Sequence, residues 1–188
     1  MEPSSDITQL IQAWQRGDRD AENQLFQALY RRLHTIAVGC LRTENAGRTL
    51  SATALVHEAY LRFQRAEPLE IANRAHFLAI AARVMRRILV DRARARHSEK
   101  REAPMPEGQP EKWFLAAREA DEILAVERAM ESLSAQSERQ ARVVELRYFA
   151  GFSEQETAAV LGISARQIRR EWTVARTRLR IAIDGNPN

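Results

Sequence analysis

The sequence predicts an all-α protein of two helical domains joined by a Pro-rich linker, the second containing a helix-turn-helix. Three observations lead there. Apolar residues recur at helical spacing in segment after segment. Pro104, Pro106, Gly108 and Pro110 crowd one short stretch between such segments, where a helix is hard to continue. Near the C-terminus, two Ser-x-x-Glu/Gln boxes flank Gly162, the local signature of a helix, a turn and a second helix. The expected bounds are 6–101 for the first domain, 102–116 for the linker and 117–188 for the second domain.

In the first domain Asp6 is placed to cap a helix with Ile7, Leu10, Ile11 and Trp14 on one face, and Gly17-Asp18 ends it. Asp20-Ala21-Glu22-Asn23 opens a second helix, with Leu25, Phe26, Leu29, Leu33, Ile36 and Ala37 along one side and Arg31 and Arg32 outside. Thr43 to Thr49 reads as a loop. The third helix follows Ser51, and Leu55, Val56, Ala59, Tyr60 and Phe63 form its stripe. Its other side carries Ala54, His57, Glu58, Leu61 and Arg65. Leu61 is an apolar side chain among polar ones. The first turn has Ser51 and Thr53 but no acidic residue, although a helix N-terminus favours negative charge.

Glu67-Pro68 stops that helix and Asn73 is placed to cap the next. From Arg74 to about His97, Phe77, Ile80, Ala81, Val84, Met85, Ile88 and Leu89 make an apolar face. The opposite face holds Arg83, Arg86, Arg87, Arg92, Arg94 and Arg96, continuing to Lys100 and Arg101. Only Asp91 and Glu99 oppose these eight basic residues, a bias that favours a polyanion surface over an ordinary solvated face.

Beyond the linker, Ala117 to Leu133 reads as an amphipathic helix with an acidic outer face, followed by a helical run from Ser134 to Phe149. Gly151-Phe152 turns the chain. Ser153-Glu154-Gln155-Glu156 is a capping box opening a short helix with Ala158, Ala159 and Leu161 inward. Gly162 breaks it and Ser164-Ala165-Arg166-Gln167 opens the last helix. Ser164, Arg166, Gln167, Arg169, Arg170 and Thr173 stand toward its leading end. Arg reads guanine bidentately and Gln reads adenine, so this end suits the major groove.

Composition sets the limits. The chain has 188 residues and 45% hydrophobic content, ordinary for a globular protein. No apolar run approaches a membrane span, and the polar start Met1-Glu2-Pro3-Ser4-Ser5-Asp6 is unlike a signal peptide. The single cysteine, Cys40, fits a reducing, cytoplasmic setting. The four histidines have no metal-ligand spacing. No phosphate loop, nucleophile elbow or paired acid/base signature is present, so no cofactor, metal or catalysis is expected. The net charge is +4, unevenly spread. Residues 6–101 carry 17 basic and 10 acidic residues, 102–138 carry 3 and 9, and 139–188 carry 9 and 5. Two basic modules therefore flank an acidic block that is placed to mask them.

The order of parts resembles a bacterial RNA polymerase sigma factor of the extracytoplasmic-function (ECF) class. The resemblance covers nearly the whole chain and is strongest at Thr53–Arg62, Arg83–Asp91 and Glu145–Arg178. It implies that the third helix docks on the coiled coil of the core polymerase clamp through Ala54, His57, Glu58, Leu61 and Arg65, which would account for Leu61. It implies that Asn73, in the loop Leu69-Glu70-Ile71-Ala72-Asn73, holds a flipped base. Arg83, Arg86, Arg87 and Arg94 then grip the −10 promoter element, and Ser164, Arg166, Gln167, Arg169, Arg170 and Thr173 read the −35 element. The family catalyses no reaction; it directs polymerase to promoter DNA.

One stretch departs from the family pattern. Members commonly carry an acidic run such as Asp-Ala-Glu-Asp just before the position of Leu55, where this chain has Ser51-Ala52-Thr53-Ala54. Phosphorylation of Thr53 or Ser51 by a Ser/Thr protein kinase would restore about −1.5 to −2 charges per site, at a helix end that favours anions. Arg48 upstream is a weak kinase-site match. Two other classes compete: a helix-turn-helix regulator that never binds core polymerase, and an RNA-binding antitermination factor using the Arg-rich helix.

Overall fold

The structure, a computed structural model, describes residues 3–41, 50–65, 70–102 and 110–185 of the chain. Among the described residues the fold is all-helical. Its α-helices are α1 (Pro3–Gln15), α2 (Arg19–Cys40), α3 (Ala52–Arg65), α4 (Arg74–Glu102), α5 (Pro110–Gln136), α6 (Glu138–Val144), α7 (Glu154–Leu161) and α8 (Ala165–Asp184). A π-helical turn, Glu145–Phe149, joins α6 to α7.

Local chemistry sets most of the helix starts. Ser51 caps α3, its Oγ accepting the Ala54 N–H at 3.1 Å, and Asn73 caps α4 through the His76 N–H at 3.0 Å. Two expected starts move. α1 opens at Pro3, a residue pre-set for the first helical position, so Asp6 lies inside the helix and does not cap it. α2 is capped by Asp18, which accepts from the N–H groups of Asp20 and Ala21, and Asp20 sits in its first turn. Gly17, with φ of +93°, makes this close return possible.

The linker expected at 102–116 is helical at both ends: α4 runs through Glu102, and α5 begins on Pro110. The rest of it lies outside the described residues, as do the loop at 43–49, the Glu67-Pro68 stop, Leu69, Arg48 and the side chains of Trp113 and Phe114. The run expected from Ser134 to Phe149 is divided. Ser137 caps α6 by accepting the Gln140 N–H. The backbone then widens, and the Ala150 N–H reaches the Glu145 carbonyl at 2.9 Å.

An aromatic cluster binds α1 to α4. Trp14, Phe26, Phe63 and Phe77 come one from each helix, and Tyr60 of α3 joins at the edge. The Phe26, Phe63 and Phe77 centroids lie 5.5–5.6 Å apart, Trp14 is 5.8 Å from Phe63, and Tyr60 is 4.9 Å from Phe26. Most of these pairs are edge-on, the favourable arrangement. Tyr60 Oη donates to Asn23 Oδ1 at 2.6 Å, so the ring keeps its polar handle satisfied.

The apolar core does not stop at the end of α4. Met85 and Ile88 of α4 belong to the same buried cluster as Met130 and Leu133 of α5, Val144 of α6, and Leu146 and Phe149 of the π turn. A smaller cluster, Val90 and Ala93 against Ala120 and Ile123, extends the α4–α5 seam. α2 meets the π turn so closely that a Cβ on Gly39 would stand 3.2 Å from the Phe149 carbonyl oxygen. The two halves are packed together.

Phe77→Ala should cost about 3–5 kcal/mol in urea unfolding, because it empties the point where all four N-terminal helices meet; a loss under about 1 kcal/mol would contradict that placement. Cys40 is buried, which pushes its thiol up to about 12, against the lowering influence of Arg86. Because the thiolate is the reactive form, the native protein should resist iodoacetamide at neutral pH and react once denatured. Rapid labelling of the folded chain would show that Cys40 is not held as described.

Candidate nucleic-acid interface

The long helix α4 has to bury its apolar side among α1–α3, and this turns its arginines away from that bundle. Several of them meet carboxylates, although Arg83, Arg87 and Arg94 stay exposed. Arg83 Nη2 pairs with Glu145 Oε2 at 3.1 Å. Arg86 pairs with both Glu127 and Glu145, its guanidinium 5.6 Å from the Phe149 ring centroid. Arg94 approaches Glu131 at 3.8 Å, and Arg96 approaches the buried Glu119 at 3.9 Å. Of the expected −10 contacts on α4, Arg83, Arg87 and Arg94 are exposed, and Arg87 alone forms no ion pair among the described residues.

Glu119 and Glu127 of α5 therefore face inward, which corrects the expectation that the acidic side points outward throughout, while Glu131 stays exposed. Helical periodicity separates two faces but does not say which one meets a neighbour. Here the neighbour is basic. Charge opposite charge makes the seam tolerable where an Arg row against solvent-excluding apolar residues would not be.

The loop ahead of α4 is braced at both ends. Gln15 Nε2 donates to the Ile71 carbonyl at 3.4 Å, and His76 Nδ1 accepts the Ala72 N–H at 3.2 Å. Asn73 is exposed, with its Oδ1 committed to the cap. It lines a groove whose far wall is Val160 and Leu161 of α7. Arg32 of α2 reaches across to Glu156 at 3.3 Å and stacks over Phe152 at 5.7 Å.

The C-terminal pair of helices is built by its caps. Ser153 and Glu156 form one capping box, and Ser164 and Gln167 the other. The N–H of Ser153 donates to the Glu156 carboxylate, which is the chief reason that carboxyl lies below its usual range. Gly162, at φ +66°, supplies the left-handed turn between the helices. Thr157 is the fully buried residue of α7, while Ala159 is exposed and Ala158 and Leu161 are half-buried, so the inward face is rotated from the expected one. The Thr157 hydroxyl donates to the Ser153 carbonyl, which lets a polar residue sit inside.

At the tip of α8, Arg166 and Arg170 are exposed. Arg169 is bound to Glu154 by a fork of contacts at 2.9 and 3.2 Å. That hydrogen bond is the main cause that holds Glu154 low and Arg169 high. Thr173 donates back to the Arg169 carbonyl. Gln167 Oε1 accepts the Ser164 N–H at 3.0 Å, so its acceptor is occupied in this state while adenine readout needs donor and acceptor together. Behind the tip, Arg178 donates to Gln140, and Gln140 donates to Glu171. Arg147 lies 5.6 Å from the Trp172 ring centroid.

On α3, Thr53, His57 and Arg65 are exposed, Leu61 is half-buried outside the core cluster, and Ala54 packs against the core. Glu58 turns inward to pair with Arg92 of α4. Tyr30, 42% exposed, forms a shallow groove with Thr53, His57 and Tyr60. The sequence reading did not single out Tyr30; an aromatic on the outer side of α2, like Leu61 on α3, was the available signal. Among the described residues no group of histidine, cysteine and carboxylate side chains is arranged to hold a metal. Among the described residues no helix is long and apolar enough to cross a membrane.

The family model described as "ECF sigma factor" matches residues 4–185. Comparison with curated proteins gives no match.

Two residues at the tip of α8 separate structure from recognition. Ser164→Ala should lower unfolding free energy by about 1 kcal/mol through loss of the cap. Arg166→Ala should leave it within about 0.5 kcal/mol of wild type. Equal losses in urea titrations would contradict the assignment.

Proposed function

Because the chain belongs to the ECF sigma factor family, a family of transcription initiation factors, we propose that it binds core RNA polymerase and directs it to its own set of promoters. It works in the cytoplasm, without a cofactor and without catalysing a reaction. The observation that carries this is the single family match across both halves, 4–185; a regulator with only a helix-turn-helix leaves α1–α4 without a purpose.

The parts divide the work. The exposed side of α3, with His57, Leu61 and Arg65, docks on the clamp coiled coil, and Tyr30 and Tyr60 beside it extend the surface. Glu58 and Ala54 act there by shaping α3, since one pairs with Arg92 and the other packs inward. The 70–73 loop and the arginines of α4 take the −10 element. Arg83, Arg86, Arg87 and Arg94 supply phosphate contacts, and Asn73 Nδ2 faces a flipped base. The α7–α8 pair forms the helix-turn-helix. Arg166 and Arg170 reach base edges of the −35 element, while Ser164 and the Arg169–Glu154 fork set the pose of α8. Gln167 and Thr173 complete that face.

A Ser/Thr kinase controls the docking step. The first turn of α3 has no acidic residue, so the clamp meets it without the charge that helps related proteins. Ser51 Oγ is already engaged in the cap; the exposed Thr53, beside the Tyr30–His57 groove, is the better acceptor. A phosphate on Thr53 adds about −1.5 to −2 charges at the helix N-terminus.

Core polymerase supplemented with this protein should initiate from its cognate promoter, and pull-down with core should be stoichiometric. Thr53→Glu should bind core several-fold more tightly than Thr53→Ala, since an exposed charge pair is worth up to about 1 kcal/mol. Equal binding by Thr53→Glu, Thr53→Ala and kinase-treated protein would overturn the switch. Promoter DNA binding with no core complex would instead support a stand-alone regulator.

A further inference from the structure

We propose that Glu154 is a specificity-determining residue that acts through Arg169: it draws the Arg169 guanidinium sideways onto α7, so that the neighbouring arginines at the tip of α8 serve as two readers, Arg166 and Arg170, and one brace. This rests on reading the tip of α8 as the −35 surface.

The three arginines follow one another near the start of α8, yet their surroundings differ. Arg166 is exposed and forms no ion pair among the described residues. Arg170 has a 74% exposed side chain and comes no nearer than 3.9 Å to its neighbour Glu171, whose carboxylate already accepts from Gln140 at 2.9 Å. Arg169 is held by two of its nitrogens, Nε at 3.2 Å and Nη2 at 2.9 Å from Glu154 Oε2. A guanidinium held along one edge has its direction fixed as well as its distance. Here that direction is toward the start of α7.

Glu154 is well placed to keep its charge. It is the first residue of α7, where a helix end favours a carboxylate. The hydrogen bond from Arg169 is the main cause that holds its carboxyl below the usual range, and the charges of Arg169 and Arg147 add to it. Arg147 is itself fixed, donating to the Phe152 carbonyl at 3.0 Å and stacking over Trp172. Glu154 thus sits between a cation that cannot leave and one that can. The side chain of Arg169 is 72% exposed, so the fork steers it without burying it. Steering of this size does not block DNA, since an exposed pair is weak. It does decide whether a third arginine joins the two that read bases.

The test is a promoter library with both the upstream and the downstream element randomised. The full chain, assembled with core polymerase, transcribes it, and the transcripts are sequenced. Glu154→Gln keeps the size of the side chain and removes its charge. It should add a guanine preference of about three- to five-fold at one upstream position beside those read by Arg166 and Arg170. Downstream preferences should stay as in wild type, which separates a change of readout from damage to the fold. In an Arg169→Ala background the same change should add no preference.

An unchanged upstream preference in Glu154→Gln would overturn the proposal. So would a gain that persists in Arg169→Ala or falls equally on every sequence, because Glu154 would then act only by repelling DNA. Upstream preferences that survive Arg166→Ala/Arg170→Ala would instead remove α8 as the reader, and with it the reading on which the proposal rests.

Discussion

Arg86 holds the molecule together at the point where its two halves meet. It sits on α4, whose apolar side is committed to the aromatic cluster with α1–α3, so its guanidinium has one direction left to go. In that direction lie Glu127, Glu145 and the face of Phe149. A half-buried guanidinium is costly without partners. It gains two carboxylates from separate elements and an aromatic face, and each of those elements is fixed in turn. α5 is drawn along α4 by further acid–base contacts at Arg94 and Arg96, and the π turn is pressed against Gly39 of α2. The relation between the halves thus follows from a charge pattern laid over an apolar seam, more than from the length of the linker.

Much of this was legible in the sequence where the physics is local. Both capping boxes near Gly162 form, because their hydrogen bonds lie within three residues and need no outside partner. Asn73 caps the helix that it was expected to cap, for the same reason, and Ser51 caps the one that follows it. The apolar stripes of α2, α3 and α4 face the core as their spacing indicates. Where the reading shifted, the cause was a competing local signal: Pro3 starts α1 ahead of Asp6, and Asp18 captures the N-terminus of α2 ahead of Asp20.

The orientation of α5 was beyond local signals. Its periodicity separates acidic from apolar positions, and an isolated amphipathic helix turns the acidic side to water. Only the presence of α4, with arginines on the facing side, reverses the preference. The acidic block between two basic modules was the one trace of this in the sequence, since charge segregation along a chain often becomes charge apposition in the fold. The same applies to Glu58 and Gln167, assigned outward roles from their positions on a helix. Each is held within the molecule, by Arg92 and by the Ser164 N–H respectively. A polar residue on an outer face has its role decided by whichever donor or acceptor comes nearest.

The two ends of the chain are consequently in different states of readiness. At α8 the Ser164 cap and the Arg169–Glu154 fork order a tip on which Arg166 and Arg170 are exposed. At α4 Arg86 lies under the α5–π-turn layer, whereas Arg83 and Arg94 pair with that layer while more than half exposed, and Arg87 forms no ion pair among the described residues. Separating that layer exposes the Met85–Met130 seam to water as well as breaking ion pairs, so salt alone is a poor opener. Something must cover or compensate the apolar surface while the halves part. A large partner that grips α3 on one side and the α5–α8 unit on another meets that requirement, whereas DNA, which competes only for the arginines, does not.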